Sequence, residues 1–239
     1  VGEGIAIAVA EQMKSERFKT ELITNVSHDI KTPLTSIINY VDLIKKEGIS
    51  EEKVREYVEV LDRQSARLKK LIEDLLEASK ASTGNVEMHM EACDAAVMIS
   101  QVVGEYQDKL QAQDIEIVVN EAKNPANIMA DGRHLWRVFD NIMSNICKYT
   151  QDHTRVYVNV EDAGDQVRMI FKNISKYPLN ISSDELMERF VRGDASRNTE
   201  GHGLGLSIAS SLTALMDGQL TIDIDGDLFK ITVAMKKQA

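Results

Sequence analysis

Cysteine is scarce in this chain, and its two cysteines stand alone. Cys93 and Cys147 form no CxxC pair, and His89, His134, His153 and His202 have no second histidine at metal-ligand spacing and no CxxC pair beside them. A disulfide-rich secreted domain or a zinc site needs such spacing. We therefore expect a reducing compartment, two structural thiols and no zinc.

Long apolar runs are also missing. The longest, Ile5 to Ala10, has six residues, whereas a membrane-spanning helix needs about 20. The chain begins at Val1 with no initiator methionine or cleavage pattern. We expect a cytoplasmic piece of a longer protein, linked to a membrane only through a segment upstream.

Basic residues are outnumbered by acidic ones. The 28 Lys and Arg against 38 Asp and Glu give a net charge of −10. Such a surface repels phosphate backbones, so we expect no nucleic-acid partner. With 43% hydrophobic and 28% charged residues over 239 positions, the composition is that of a globular protein, and two domains are favoured.

Proline is nearly absent from the first third of the chain. Residues 1–81 contain only Pro33 and are rich in helix-forming residues. Two apolar stripes step by three and four residues, as helix-packing faces do. They consist of Val26, Ile30, Leu34, Ile37, Val41 and Ile44, and of Val54, Val58, Leu61, Ser65, Leu68, Ile72 and Leu75.

The segment between the stripes predicts a sharp reversal. Gly48 suits the position after a helix end, Ser50 suits an N-cap, and two glutamates follow it. Two such helices cannot bury both stripes against each other, so we expect a helical hairpin that dimerises into a four-helix bundle. In residues 1–16, Ile5, Val9 and Met13 are four apart, which predicts a coiled-coil helix that continues into the first helix of the hairpin.

The pattern changes after residues 79–85, where small and turn-forming residues interrupt the helix. Strands are predicted over 115–119, 156–160, 167–171, 220–224 and 229–233, and helices over 95–111, 133–149 and 204–216. Strands and helices do not alternate strictly, which favours an α+β sandwich of helices on a mixed sheet. We place the domains at 17–83 and 84–239.

One exposed histidine on the first helix could be a nucleophile. His28 lies about 200° around the helix from Val26, away from the stripe. Asp29 can orient the imidazole, and Pro33 frees a carbonyl one turn earlier. From periodicity alone, an ordinary surface histidine beside a helix kink is the more frequent explanation.

The segment around this histidine resembles the phosphoacceptor motif of the sensor histidine kinases of bacterial two-component systems. His28, Asp29, Thr32, Pro33 and Leu34 match it. The resemblance implies that His28 is phosphorylated, that Asp29 acts as base or orienting acid, and that Thr32 positions water in the reverse, phosphatase reaction.

A second segment, residues 140–150, is similar to the N-box of the same family. Asn141, Asn145, Lys148 and Tyr149 fall on one helical face, and amide oxygens suit Mg²⁺. The resemblance implies that Asn145 ligates Mg²⁺ on the phosphates of ATP. It also implies that Asn141, one turn earlier, belongs to the site and that Lys148 and Tyr149 lie near the phosphates and sugar.

A third segment, residues 201–208, resembles the G2 box. Its glycines allow backbone N–H groups to approach phosphate oxygens at a helix start, and the GxGxG spacing differs from a Rossmann fingerprint. Residues 185–197 are similar to the F-box and ATP lid, with arginines suited to phosphate. The nucleotide-binding residues implied here are Gly201, Gly203, Leu204, Gly205, Arg189, Arg192 and Arg197.

The adenine box of the family is eroded. Where Asp-x-Gly-x-Gly is expected, the chain has Asn173, Ser175 and Tyr177. A neutral amide can accept a hydrogen bond from the adenine amino group, but more weakly than a carboxylate. The absent glycines also put the usual hinge of the lid in doubt.

These motifs together predict a dimeric histidine kinase that uses ATP and Mg²⁺ and passes phosphate to a response regulator. Two alternatives remain. One is a weakened signalling scaffold that binds ATP poorly, and the feature that separates it is the Asn173 box. The other is an ATP-driven machine of the gyrase and MutL superfamily, which would need no His28 and would carry a catalytic glutamate at position 141.

Overall fold

A computed structural model describes residues 30–45, 50–82, 86–120, 126–179 and 204–238. The chain divides into two compact units, Val1–Leu76 and Glu77–Ala239. The predicted domain bounds at 16/17 and 83/84 stay predictions. In the described ranges, no helix is both long enough and apolar enough to cross a membrane.

The first unit contains two helices, α1 over residues 30–44 and most of α2, Glu51–Ser82. The backbone N–H of Lys53 donates to Ser50 Oγ at 3.4 Å, so Ser50 caps α2 as predicted. The rings of Tyr40 and Tyr57 pack with centroids 5.3 Å apart, which joins the end of α1 to the start of α2. The predicted pair of helices is therefore confirmed.

The apolar stripes of these helices are covered only in part. Leu34, Val58 and Ile72 are 43%, 50% and 44% exposed, and Ile38 beside them is 53% exposed. Large apolar side chains exposed in a row on helices mark a surface that another element can cover.

The second unit is built on a five-stranded mixed sheet with strand order β2-β4-β5-β7-β6. β2 runs parallel to β4, and the other neighbours are antiparallel. The strands are β2 Glu116–Asn120, β4 Arg155–Asp162, β5 Gln166–Ile174, β6 Gln219–Asp225 and β7 Leu228–Lys236.

Three helices, α3 Ala95–Gln111, α4 Gly132–Tyr149 and α5 Leu204–Leu215, complete this unit. α4 packs against both α3 and α5. Alternate residues of β4, β5 and β7 are buried, and the Phe139 ring of α4 lies 6.0 Å from Phe171 of β5. The core therefore lies between one face of the sheet and the helices, which confirms the α+β prediction.

Two short strands were not predicted from the sequence. β1 Glu91–Asp94 and β3 Asn127–Ala130 pair antiparallel in a separate two-stranded sheet. Four residues are too few to show alternation, and the partners are far apart in the sequence. The five predicted strands and three predicted helices of this unit are confirmed, with bounds that shift by up to three residues.

Candidate nucleotide site

Helix α4 presents the predicted N-box residues. Asp131 caps its first turn, and its buried side is formed by Leu135, Val138, Phe139, Ile142, Met143 and Ile146. Asn141 and Asn145 are partly buried beside this apolar face, Lys148 is exposed and Tyr149 is partly buried. Two adjacent helical turns therefore carry amide oxygens and a cation at one border of the core.

Asn141 is the most constrained of these residues. Its Nδ2 atom is buried and has no hydrogen-bond partner among the residues that the structure describes. Its Oδ1 atom would lie 3.4 Å from a Cβ placed on Gly205, the second residue of α5. The N-box helix thus meets the start of the helix that follows the G2 glycines, as expected if both contact one ligand. An orphaned buried amide is costly unless a ligand or water satisfies it.

The start of α5 completes this side of the site. Leu204 is buried at 1% exposure and anchors the first turn in the core. Gly205 leaves open the space that a larger side chain would take from Asn141. Gly201 and Gly203, together with Arg189, Arg192 and Arg197, lie outside the described residues.

The predicted adenine residue lies at the carboxyl end of β5. Asn173 is 3% exposed and follows Val167, Met169 and Phe171 on the helix-covered face of the strand. A polar residue at the end of an apolar row costs free energy unless it is bonded. Its Nδ2 atom donates to the Ile174 carbonyl at 3.5 Å, the limit of hydrogen-bond distance.

The chain after β5 is held by a serine turn and not by glycines. Ser175 Oγ donates to the Tyr177 carbonyl at 2.7 Å and accepts from the Tyr177 N–H at 3.3 Å. The Ser175 N–H donates to the Asp227 carbonyl at 2.7 Å. Residues 175–177 are therefore tied down where the motif would have a glycine hinge.

The same segment is joined to the end of α4. The Lys176 N–H donates to the Tyr149 carbonyl at 2.7 Å, the Gln151 N–H donates to the Ile174 carbonyl at 2.8 Å, and Thr150 pairs with Ser175 in an antiparallel bridge. The predicted N-box and adenine-box residues are thus brought together by backbone hydrogen bonds.

A polar cluster around Asp140, the residue before Asn141, supports α4. Tyr106 donates to Asp140 Oδ1 at 2.5 Å, while Arg137 contacts Asp140 Oδ2 at 3.4 Å and Glu77 at 2.8 Å. Burial raises the pKa of Tyr106 above its ordinary value, and the hydrogen bond to Asp140 raises it further. The cluster fixes α4 from the side of α3.

The predicted phosphoacceptor residues are only partly described. Thr32 is exposed on α1, while His28 and Asp29 lie outside the described residues. Of the two thiols, Cys147 lies within α4, and burial raises its pKa to about 11 despite the nearby Lys109 and Lys148. This thiol is protonated at neutral pH, which fits a structural role.

Sequence reasoning gave Thr150 no role and treated Ser175 only as the replacement of an expected glycine. Both are buried, at 1% and 8% exposure. Thr150 follows directly on Tyr149, the last residue of the N-box face, and Ser175 stands where a glycine was expected. Polar residues next to motif positions were the available signal, but their burial depends on the tertiary pairing.

The site offers oxygen ligands for a hard cation. Across the described ranges, no group of three or more His, Cys, Asp or Glu side chains could hold a metal ion. The donors here are amides, which suit Mg²⁺ that keeps waters and phosphate oxygens as its other ligands. Asn145, partly exposed one turn after the orphaned amide of Asn141, fits such an ion.

Two family models match the chain. Residues 18–84 match the His Kinase A (phospho-acceptor) domain, and residues 130–238 match the Histidine kinase-, DNA gyrase B-, and HSP90-like ATPase. Sensor protein VanS of Enterococcus faecium is 29% identical over 209 residues, which cover 86% of this chain and 54% of VanS. Sensor protein kinase WalK of Staphylococcus aureus is 28% identical over 218 residues, covering 89% and 52%.

Solved structures share the fold. The Acinetobacter baumannii histidine kinase AdeS matches with a TM-score of 0.69 at 16% identity, over 89% of this chain and 98% of that one. Histidine kinase ThkA, in complex with response regulator protein TrrA, matches with a TM-score of 0.71 at 20% identity, over 95% and 65%. ShkA in complex with AMPPNP gives a TM-score of 0.66 at 21% identity, over 92% and 46%.

The family models, the relatives and the order of the motifs agree. The chain spans about half the length of the curated relatives it matches. A phosphoacceptor domain precedes an ATPase domain, and the second unit carries the N-box and adenine-box residues on adjoining elements. The chain therefore belongs to the sensor histidine kinases of bacterial two-component systems.

Proposed function

We propose that this chain is an ATP-dependent histidine autokinase that phosphorylates His28 and passes the phosphoryl group to an aspartate of a response regulator. The observation that carries the proposal is the juxtaposition of the Asn141 amide with Gly205, on a helix whose last residues are hydrogen-bonded to the segment after the buried Asn173. Phosphoryl transfer requires positioning and charge neutralisation, which such a site supplies.

The ATPase-type domain would hold the nucleotide between α4, the end of β5 and the start of α5. Asn173 would accept from the adenine amino group, and Lys148 and Tyr149 would lie by the phosphates and sugar. The lid arginines Arg189, Arg192 and Arg197 and the backbone at Gly201, Gly203 and Gly205 would bind phosphate oxygens.

Mg²⁺ would bind through Asn145 and the phosphate oxygens. When bound, it would neutralise charge on the phosphates during transfer. Asn141 would orient the ligand from one turn earlier on the same helix face. An asparagine at this position cannot act as the general base that the alternative, an ATP-hydrolysing machine, would need there.

The first unit would supply the nucleophile and the partner surfaces. The exposed apolar residues Leu34, Ile38, Val58 and Ile72 fit burial against a second copy in a four-helix bundle. Asp29 would orient His28, and Thr32 would position water when a regulator's acyl phosphate is hydrolysed. ThkA is described in complex with a response regulator, which supports the same class of partner here.

The test is labelling with γ-labelled ATP and Mg²⁺. We expect an acid-labile and base-stable label on the wild-type chain, as for a phosphoramidate, and none on His28→Gln. His89→Gln is the matched control, because His89 is an exposed histidine (71% of its side chain) outside the site.

Equal labelling of His28→Gln would refute the assignment of the nucleophile. A wild-type chain that binds a regulator but neither binds ATP nor becomes labelled would establish the alternative, a scaffold with a degenerate adenine box.

A further inference from the structure

Three buried polar side chains lie together at the carboxyl end of β5. Asn173 and Ser175 are two residues apart on an extended segment, so they point to the same face. Thr150 is directly opposite Ser175 in an antiparallel bridge, and opposed residues share a face of the ladder. Their exposures are 3%, 8% and 1%.

The hydrogen bonds of the three residues are unequal. Ser175 is satisfied by its turn with Tyr177. Within the described ranges, Asn173 makes one long side-chain hydrogen bond, to the Ile174 carbonyl. The hydroxyl of Thr150 is buried and has no hydrogen-bond partner in the described part of the chain. Buried hydroxyls are paired in most proteins, so this one calls for a ligand or a water.

The fold itself does not need the hydroxyl. Thr150 is the C-cap of α4 with extended backbone, at φ −74° and ψ 137°, and its backbone N–H donates to the Ile146 carbonyl at 3.0 Å. A valine has the same β-branched shape without the hydroxyl, and it would keep both the backbone cap and the bridge. The hydroxyl therefore leaves an unsatisfied polar group in the unliganded domain, and neither the cap nor the bridge depends on it.

We propose that Thr150 is a specificity residue that reads the base of the nucleotide. Adenine presents a ring-nitrogen acceptor, N1, beside its amino donor. The Thr150 hydroxyl can donate to N1 while Asn173 Oδ1 accepts from the amino group. Guanine presents a carbonyl in place of that amino group, so its oxygen would face Asn173 Oδ1 as long as the bond from Nδ2 to the Ile174 carbonyl holds the amide in this orientation. This inference rests on the proposed function, because it takes ATP as the ligand.

The experiment uses the full chain and the variant Thr150→Val, with calorimetric binding of ATP and of 1-deaza-ATP, which lacks N1. We expect roughly fivefold weaker ATP binding, the equivalent of one neutral hydrogen bond. We expect the preference of the wild type for ATP over 1-deaza-ATP to disappear. The melting temperature without nucleotide should stay the same or rise, since a buried unpaired hydroxyl is removed.

Thr213→Val is the matched control. Thr213 is also fully buried, but its hydroxyl donates to the Ala209 carbonyl at 2.7 Å within α5. Its loss should lower the melting temperature and leave ATP affinity unchanged.

Two results would overturn the inference. If Thr150→Val lowers the melting temperature and binds ATP like the wild type, the hydroxyl is structural. If ATP and 1-deaza-ATP bind the wild type equally, the protein makes no hydrogen bond to N1 of adenine. Failure of the wild type to bind ATP at all would instead refute the proposed function together with the inference.

Discussion

Gly205 faces the side chain of Asn141: a Cβ on Gly205 would be 3.4 Å from Asn141 Oδ1 and 3.7 Å from its Cβ and Cγ, which is van der Waals contact. The contact joins the N-box helix to the first turn of α5. It leaves Asn141 room to turn its amide toward a ligand while the rest of both helices stays packed.

Gly205→Ala tests this contact. The added methyl would touch the Asn141 side chain without a clash, and it should weaken ATP binding several-fold because it takes space beside the Asn141 amide where the nucleotide would bind. The domain should stay folded, since alanine favours helix over glycine by about 1 kcal/mol.

The matched control is Gly104→Ala, at a position in α3 with nothing within 4 Å of its Cβ. It should gain the same stability with unchanged ATP affinity. Calorimetry and thermal unfolding check both variants, and normal ATP affinity of Gly205→Ala would contradict the role of the contact.

Thr32→Ala should separate the two directions of the chemistry. Thr32 is four residues after His28 and exposed on α1, where its hydroxyl can orient water toward a regulator's acyl phosphate. We expect at least a tenfold loss of regulator dephosphorylation, with autophosphorylation retained. Time courses with labelled regulator measure both rates, and parallel loss of the two would contradict the assignment.

Asn145→Asp tests the magnesium ligand. A carboxylate changes the charge next to the phosphates and the donor set of the ion, so labelling should fall at least tenfold and its Mg²⁺ dependence should change. Asn159→Asp is the control, because Asn159 accepts from Asn120 on the sheet at 3.0 Å, a bond that a carboxylate also makes. Unchanged kinetics at limiting Mg²⁺ would refute the role.

Asn173→Asp tests the eroded adenine box. A charged acceptor should strengthen the bond to the adenine amino group and tighten ATP binding several-fold, with better discrimination against GTP. Because Asn173 is 3% exposed, the carboxylate should also destabilise the unliganded domain by about 1–3 kcal/mol. Calorimetry that shows weaker ATP binding would place the adenine contact elsewhere.

Asp131→Asn tests the cap of α4. Burial would raise the pKa of Asp131. Hydrogen bonds from the N–H groups of His89 and His134, together with the His134 ring, outweigh burial and lower the pKa to about 2. A lowered pKa in the folded state stabilises the domain above pH 4 by about 2 kcal/mol, and this contribution is lost as the pH falls toward 2.

The variant should therefore unfold more easily at pH 7 and lose less stability between pH 4 and 2. The single tryptophan, Trp136 in α4, reports unfolding by fluorescence. Asp94→Asn is the control, because Asp94 caps α3 through Oδ1 alone, and an amide oxygen replaces it. An equal effect of both substitutions would refute the special role of Asp131.

Local signals were enough for the described helices and for the strands of the five-stranded sheet. The repeats of three and four apolar residues predicted α1 and α2, and alternation predicted the strands of the main sheet, because both patterns arise from backbone periodicity. Asn141 and Asn145 could be assigned to one face of a helix because four residues make about one turn. Gly205 was identified because its motif needs the backbone to approach a ligand.

The partners of these residues were decided by tertiary structure. β1 and β3 are four residues each and exist only because two distant segments pair. From the sequence, Asn173 is a weak substitute for the expected aspartate. Its burial and its neighbours Thr150 and Ser175 depend on the bridge that joins the end of α4 to the segment after β5. Burial and hydrogen-bond satisfaction are properties of surroundings assembled from distant parts of the chain, and no local pattern encodes them.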